Sequence, residues 1–323
     1  MKNLRKLSIF LLTFLLLLSH VFIGIKDVNA SVTSPDLSGF KVIEPDTEYS
    51  QEVWLEVDNN SGETKTLSEV DEDFLEKVRK EYKSPEKVIT GLKESNEIQV
   101  TNNREPTFNP SSSLIRLYYH IEVDDKNSRI KLSTTITELI GETPAIVIFG
   151  FALYSGNSRN GSFRQRTILE REWIAPRLGQ TASRTFNVTN TQFWTANYTH
   201  TVGWVGAAPR TGTGSSETFL LNSKAKPYPK VINEHNNTVM PEPSMTTWKV
   251  VPENERTKRE PKLKNKYIRW YIDTYGNPRW DWSGIHVHHV RPLKYGGTNA
   301  MRNLYPVPAD FHIKVVTPWW ANY

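Results

Sequence analysis

The chain has no cysteine. That absence excludes a disulfide framework, thiolate-ligated zinc, a thiol nucleophile and an acylated lipoprotein anchor, so any metal must be held by His, Asp, Glu or Asn. Glycine and proline are not in excess, at 17 and 19 of 323 residues, which excludes collagen-like and low-complexity chains. After the first thirty residues there is no further long uncharged apolar run of the kind that spans a bilayer. Aromatic residues, by contrast, are plentiful. With 13 Phe, 13 Tyr and 10 Trp the chain can build a core and is not wholly disordered. Its length leaves room for two domains, at roughly 100–200 residues each.

Lys2, Arg5 and Lys6 precede an uncharged, leucine-rich stretch from Leu7 to Ile25, and Val28, Asn29 and Ala30 then form a small-x-small pattern. Residues 1–30 therefore read as a secretory signal peptide, cleaved near Ala30 to release a secreted, extracellular protein with no stable membrane anchor. An uncleaved anchor is the alternative, since this stretch nearly matches a bilayer core of ~30 Å. The formal charge is unevenly spread: +3 up to Ala30, −5 from Ser31 to Met245, and +7 from Thr246 to Tyr323. The last quarter is thus where a polyanion would be steered and bound.

Residues 31–110 read as a polar accessory region. Ser68 and Asp71 frame a capping box for a short helix to about Tyr82, with Val70, Phe74, Leu75 and Val78 at helical spacing. In residues 111–226 the period changes to two. Ile115, Leu117, Tyr119, Ile121 and Val123 alternate with Arg116, Tyr118, His120 and Glu122, and Ile130, Leu132 and Ile136 repeat the pattern. Ala145 to Leu153 is apolar on both faces, as a central strand would be. About seven strands separated by Gly, Asn and Ser turns predict an antiparallel, sandwich-like domain. Residues 227–265 carry several prolines and many charges and read as an extended linker.

Four of the eight histidines lie in the last 38 residues, as His286, His288, His289 and His312. Around them stand Pro292, the pair Gly296 and Gly297, and the pair Asn303 and Leu304. This order, His-His-x-x-Pro, Gly-Gly, Asn-Leu and His, resembles the HNH (ββα-metal) endonuclease family, over roughly Trp280 to Tyr323. The resemblance implies an α+β multi-domain chain in which residues 266–323 form a small C-terminal ββα-metal domain after the β-rich one. It implies that His288 and His312 bind one divalent ion, that His289 is the general base for water, and that Asn303 orients His289. Mg2+ is the first expectation for that ion, with Zn2+, Ni2+ or Mn2+ as alternatives.

Two features depart from the family pattern. Many relatives carry another His four residues after the last one, where this chain has Val316. His286 lies on the same face of the expected strand as His288 and is the alternative ligand. Arg291, Lys294, Arg302 and Lys314 are candidate phosphate contacts. The nearby aromatics, from Tyr267 to Trp320, fit a small core better than base stacking. The resulting expectation is a secreted, metal-dependent HNH endonuclease acting on nucleic acid, DNA foremost, with the layout of an antibacterial toxin. An acidic immunity protein would be its partner. A non-enzymatic surface- or glycan-binding protein with a degenerate tail is the alternative.

Overall fold

The computed structural model describes residues 39–43, 46–58, 60–67 and 112–323. The expected signal peptide and the helix expected after Ser68 lie outside the described residues. The described chain is rich in β-structure, with several antiparallel sheets and a small C-terminal helical segment. Among the described residues no helix is long and apolar enough to cross a membrane.

One five-stranded sheet has the order β3-β2-β4-β5-β8, from β2 (Glu48–Asp58), β3 (Thr64–Leu67), β4 (Ser112–Asp124), β5 (Arg129–Ile140) and β8 (Thr181–Asn187). The second runs β10-β9-β6-β7, from β6 (Ile146–Gly156), β7 (Phe163–Ile174), β9 (Gln192–Gly203) and β10 (Arg210–Ser215), with β11 (Phe219–Leu221) also on β9. The alternating apolar residues of both sheets meet in one core. Leu55, Leu117, Tyr119 and Leu132 come from the first sheet, and Phe149, Phe151, Trp194 and Val202 from the second. Tyr119 stacks on Tyr198 at 4.4 Å and meets Phe151 edge-on at 5.3 Å, contacts worth about 0.5–1.5 kcal/mol each beyond their buried area. β6, apolar on both faces, has a strand on either side. The strand alternation was legible in the sequence, but β2 was not. It lies in the region read as accessory, yet it pairs with β4 over eleven positions, so the sheet continues across residue 110.

The expected linker is not an extended tether. β12 (Lys230–Asn233) pairs with β1 (Phe40–Ile43) on one side and with β13 (Thr238–Val239) on the other. Val231 and Met240 are buried. Two tyrosines fasten this small sheet to the C-terminal region. Tyr271 Oη accepts from Asn233 Nδ2 at 2.9 Å, and Tyr305 Oη donates to the Thr238 carbonyl at 2.7 Å. Prolines and charges made the stretch look solvated, whereas few but well-spaced apolar residues were enough to dock it.

The C-terminal region begins with α1 (Leu263–Tyr275), three residues earlier than expected. Leu263, Tyr267 and Tyr271 recur every four residues and so form one stripe, which packs on Val287 and Leu304. Gly276, at φ +87°, ends the helix, a conformation that glycine reaches without steric cost. β14 (Ile285–His289) and β15 (Leu304–Pro308) form a two-stranded hairpin. α2 (Ala309–Phe311), a π-helical turn (His312–Val316) and α3 (Thr317–Ala321) follow without a break. The helical run therefore extends nine residues past the His312 to which it was expected to reach.

Candidate functional site

The hairpin register explains how the histidines are divided. Val290 N donates to the Asn303 carbonyl at 2.8 Å, so the hydrogen-bonded pairs fall at 288 with 305 and 286 with 307. Pro306 and Pro308 then occupy the intervening positions, where the ladder requires no N–H. Along β14, His286 and His288 share one face, while Val287 and His289 share the other. Val287 joins the α1 core, and the opposite face meets the final helical run.

On that face His312 sits between the two strand histidines. Its Nε2 is 3.0 Å from His288 Nδ1, and its Nδ1 is 3.4 Å from His286 Nδ1. The sequence left His286 and His288 as alternatives, but the structure brings both to His312. The π-helical turn starts at His312, whose carbonyl accepts from Thr317 Oγ1 at 2.9 Å. Pro318 has no N–H for the ordinary helical bond, which makes this irregularity inexpensive. Val316, at the place of the missing histidine, is fully buried and cannot be exchanged for solvent-facing polarity without loss.

His288 is 5% exposed, and its Nε2 has no hydrogen-bond partner. Burial, followed by the nearby His312, His289 and Arg259, pulls its pKa down to about 3. His312 is brought down to about 4 by burial and by His286 and Arg259. Both rings are thus neutral at neutral pH, the form in which imidazole binds a metal. Among the described residues no group of three or more His, Asp or Glu is disposed to hold one ion. What the protein offers one ion is a single nitrogen from each of two neutral rings, 3.0 Å apart, while the unsatisfied Nε2 lies on the other side of the His288 ring and points away from that pair. That donor set fits an ion that takes part of its coordination from oxygen ligands. Imidazole pairs suit Zn2+ and Ni2+ best, and Mg2+, which prefers oxygen throughout, least.

No protein-family model matches this chain, and no curated protein or solved structure is significantly similar to it. The assignment of roles therefore rests on local geometry.

His289 belongs to a different network from the one expected. Its Nε2 lies 3.0 Å from Asn299 Oδ1, while Asn299 Nδ2 donates to the Lys258 carbonyl at 2.8 Å. The second bond fixes which way the amide faces, so Oδ1 must accept and His289 Nε2 must carry the hydrogen. The Nδ1 lone pair is left as the basic site. Burial lowers the His289 pKa; the Asn299 bond opposes this, and the Arg259 charge adds to it.

Asn303, expected to orient His289, instead closes the loop. Its Oδ1 accepts from Arg291 N at 2.8 Å, and its Nδ2 donates to the carbonyls of Arg291 at 3.0 Å and Thr298 at 2.8 Å. Its amide is thus committed to backbone, two residues beyond His289. The glycine pair completes the loop. Gly296 caps a 3-10 turn (Leu293–Tyr295) at φ +81°, and a Cβ on Gly297 would lie 1.8 Å from the Arg291 carbonyl oxygen.

The expected phosphate contacts separate into two kinds. Arg291 is committed to structure, donating from Nε to the Tyr295 carbonyl at 2.7 Å and lying 4.9 Å from the centre of the Trp248 ring. Lys314 pairs with Asp310 at 2.7 Å on an exposed helix face. Lys294 and Arg302 are exposed and remain open to solvent-borne phosphate. The basic residue that reaches the cluster is Arg259. Its Nη2 donates to the Val287 carbonyl at 3.1 Å, and its charge acts on His288, His289 and His312. Asn299 and Arg259 were the residues that sequence reasoning missed. Arg259 lies in the charged stretch that reads as a linker, and Asn299 stands two residues after the glycine pair with no pattern of its own.

Proposed function

We propose that the C-terminal region is a metal-dependent nuclease of the ββα-metal type, which cleaves phosphodiester bonds, foremost in DNA, outside the cell that makes it. The observation that supports this reading best is the division of labour across one hairpin. Two neutral imidazole nitrogens face each other on one side, and a separately oriented imidazole base stands on the other.

In this mechanism His288 Nδ1 and His312 Nε2 would hold the divalent ion, while His286 faces the other ring nitrogen of His312. When bound there, the ion would supply Lewis-acid stabilisation of the charge that develops on the phosphate and the leaving oxygen. His289, fixed by Asn299 as the Nε2–H tautomer, takes the proton of the attacking water on Nδ1. Arg259 adds a permanent positive charge beside the cluster, where a phosphate oxygen would lie. Asn303, Gly296 and Gly297 keep the loop closed so that His289 and Asn299 stay in register. The layout, with an export signal ahead and the basic region last, fits an antibacterial effector neutralised by an acidic immunity protein.

The test is nicking of supercoiled plasmid by the full chain with Mn2+, Ni2+, Zn2+ or Mg2+, alongside His289→Ala, His288→Ala and a chelator. Wild-type cleavage that needs an ion of the first three kinds and falls by two orders of magnitude or more in His289→Ala supports the reading. Absence of cleavage of DNA and RNA with every ion, or undiminished cleavage by His289→Ala, removes it.

A further inference from the structure

We propose that the β-rich region carries a second ligand site, independent of the histidine cluster, for an oxyanion borne on a small hydroxylated ligand. The site is a cavity of about 360 Å³ at the end of the β6–β7 hairpin, a size within the range of small-molecule sites. Arg164, Arg166, Ser155 and Gln192 line it, with Asn157 and Ser162 from the hairpin turn. A smaller cavity adjoins it through Arg166 and Gln192 and is lined also by Asn190 and Trp194.

The chemistry of this lining is one-sided. No carboxylate faces either cavity, and the ion pairs among the described residues include neither Arg164 nor Arg166. Arg164 and Arg166 both line the larger cavity from β7, which bulges at Arg166, and they stand there as uncompensated like charges. Arg166 Nε donates to Ser155 Oγ at 2.6 Å, Arg166 Nη2 to Gln192 Oε1 at 3.3 Å, and Ser155 Oγ to the same Oε1 at 2.7 Å. Those bonds aim the Arg166 fork and leave Nη1 without an acceptor among the described residues. Trp194, 2% exposed, forms part of the wall of the adjoining cavity. A surplus of donors without acceptors is what a carboxylate or phosphate would satisfy, and a guanidinium fork matches either in two-point fashion.

The hairpin turn is also held in advance. Thr246 N donates to the Asn157 carbonyl at 2.8 Å, and Arg159 makes paired contacts with Glu242 while donating to the Thr218 carbonyl at 2.6 Å. Binding would therefore not have to order the turn, which spares affinity.

Calorimetric titration of the full chain in chelator, with inorganic phosphate, glucose 6-phosphate, N-acetylneuraminate and neutral galactose, tests the site. Binding of at least one anion with none of galactose, weakened about tenfold or more in Arg164→Ala/Arg166→Ala, is expected. Preference for glucose 6-phosphate identifies a phosphorylated ligand, and preference for N-acetylneuraminate an acidic sugar. Both fit the proposal. Arg259→Ala is expected to bind as wild type does, and loss of binding in that variant would assign the anion to the histidine cluster and overturn the proposal. Equal affinity in the double arginine variant, or no anion binding by wild type at millimolar concentration, overturns it as well.

Discussion

Replacing Asn299 by alanine separates the two asparagines of the loop. His289 is 7% exposed, so removing the Asn299 carbonyl oxygen leaves an imidazole N–H that is nearly shut off from water. An unsatisfied buried donor costs about 1–3 kcal/mol, and the same loss frees the ring to change tautomer or to rotate. If all of that appears in the transition state, kcat falls about 5- to 150-fold with KM nearly unchanged. The acid limb of the pH–rate profile supplies a sign. The Asn299 bond favours the protonated ring, so its removal lowers the His289 pKa further and moves the acid limb to lower pH. Asn299→Asp places a carboxylate on the same nitrogen and moves the limb up. Plasmid nicking followed by densitometry at several pH values reads both quantities, with melting curves as a folding control. A kcat within twofold of wild type and an unmoved acid limb in Asn299→Ala would refute the tautomer argument.

His200 is buried between the sheets with neither ring nitrogen bonded, and burial and Arg210 hold its pKa at about 4. The unfolded chain protonates this ring near 6.5, so its contribution is intact above that pH and is lost as pH falls toward 4, by about 3 kcal/mol. Urea melts at pH 7 and pH 4.5 should therefore differ less in His200→Phe than in wild type. Gly297→Ala must push the Arg291 carbonyl aside, costing about 1–3 kcal/mol, which calorimetry should register as a fall in Tm of several degrees. A fragment of residues 266–323 lacks Lys258, Arg259 and the sheet fastened by Tyr271 and Tyr305. It should show a collapsed near-ultraviolet circular dichroism signal beside residues 227–323, and an equally structured short fragment would contradict the docking described here.

Period-two alternation was enough to locate β4 and β5, because a half-buried strand must send every second side chain inward. The order and spacing of four histidines, a glycine pair and an asparagine singled out one stretch, in which His286, His288 and His312 meet in the fold. Local sequence could also assign His286 and His288 to one face and His289 to the other, since that follows from strand geometry alone. It could not say that Asn299 rather than Asn303 meets His289, because both lie in an irregular loop whose path is set by backbone bonds and a glycine contact. Nor could it bring in Arg259, thirty residues before His289, or β2, which finds its partner across more than fifty residues. Those pairings depend on chain segments distant in sequence packing against one another, and tertiary burial, which no local pattern encodes, decides them.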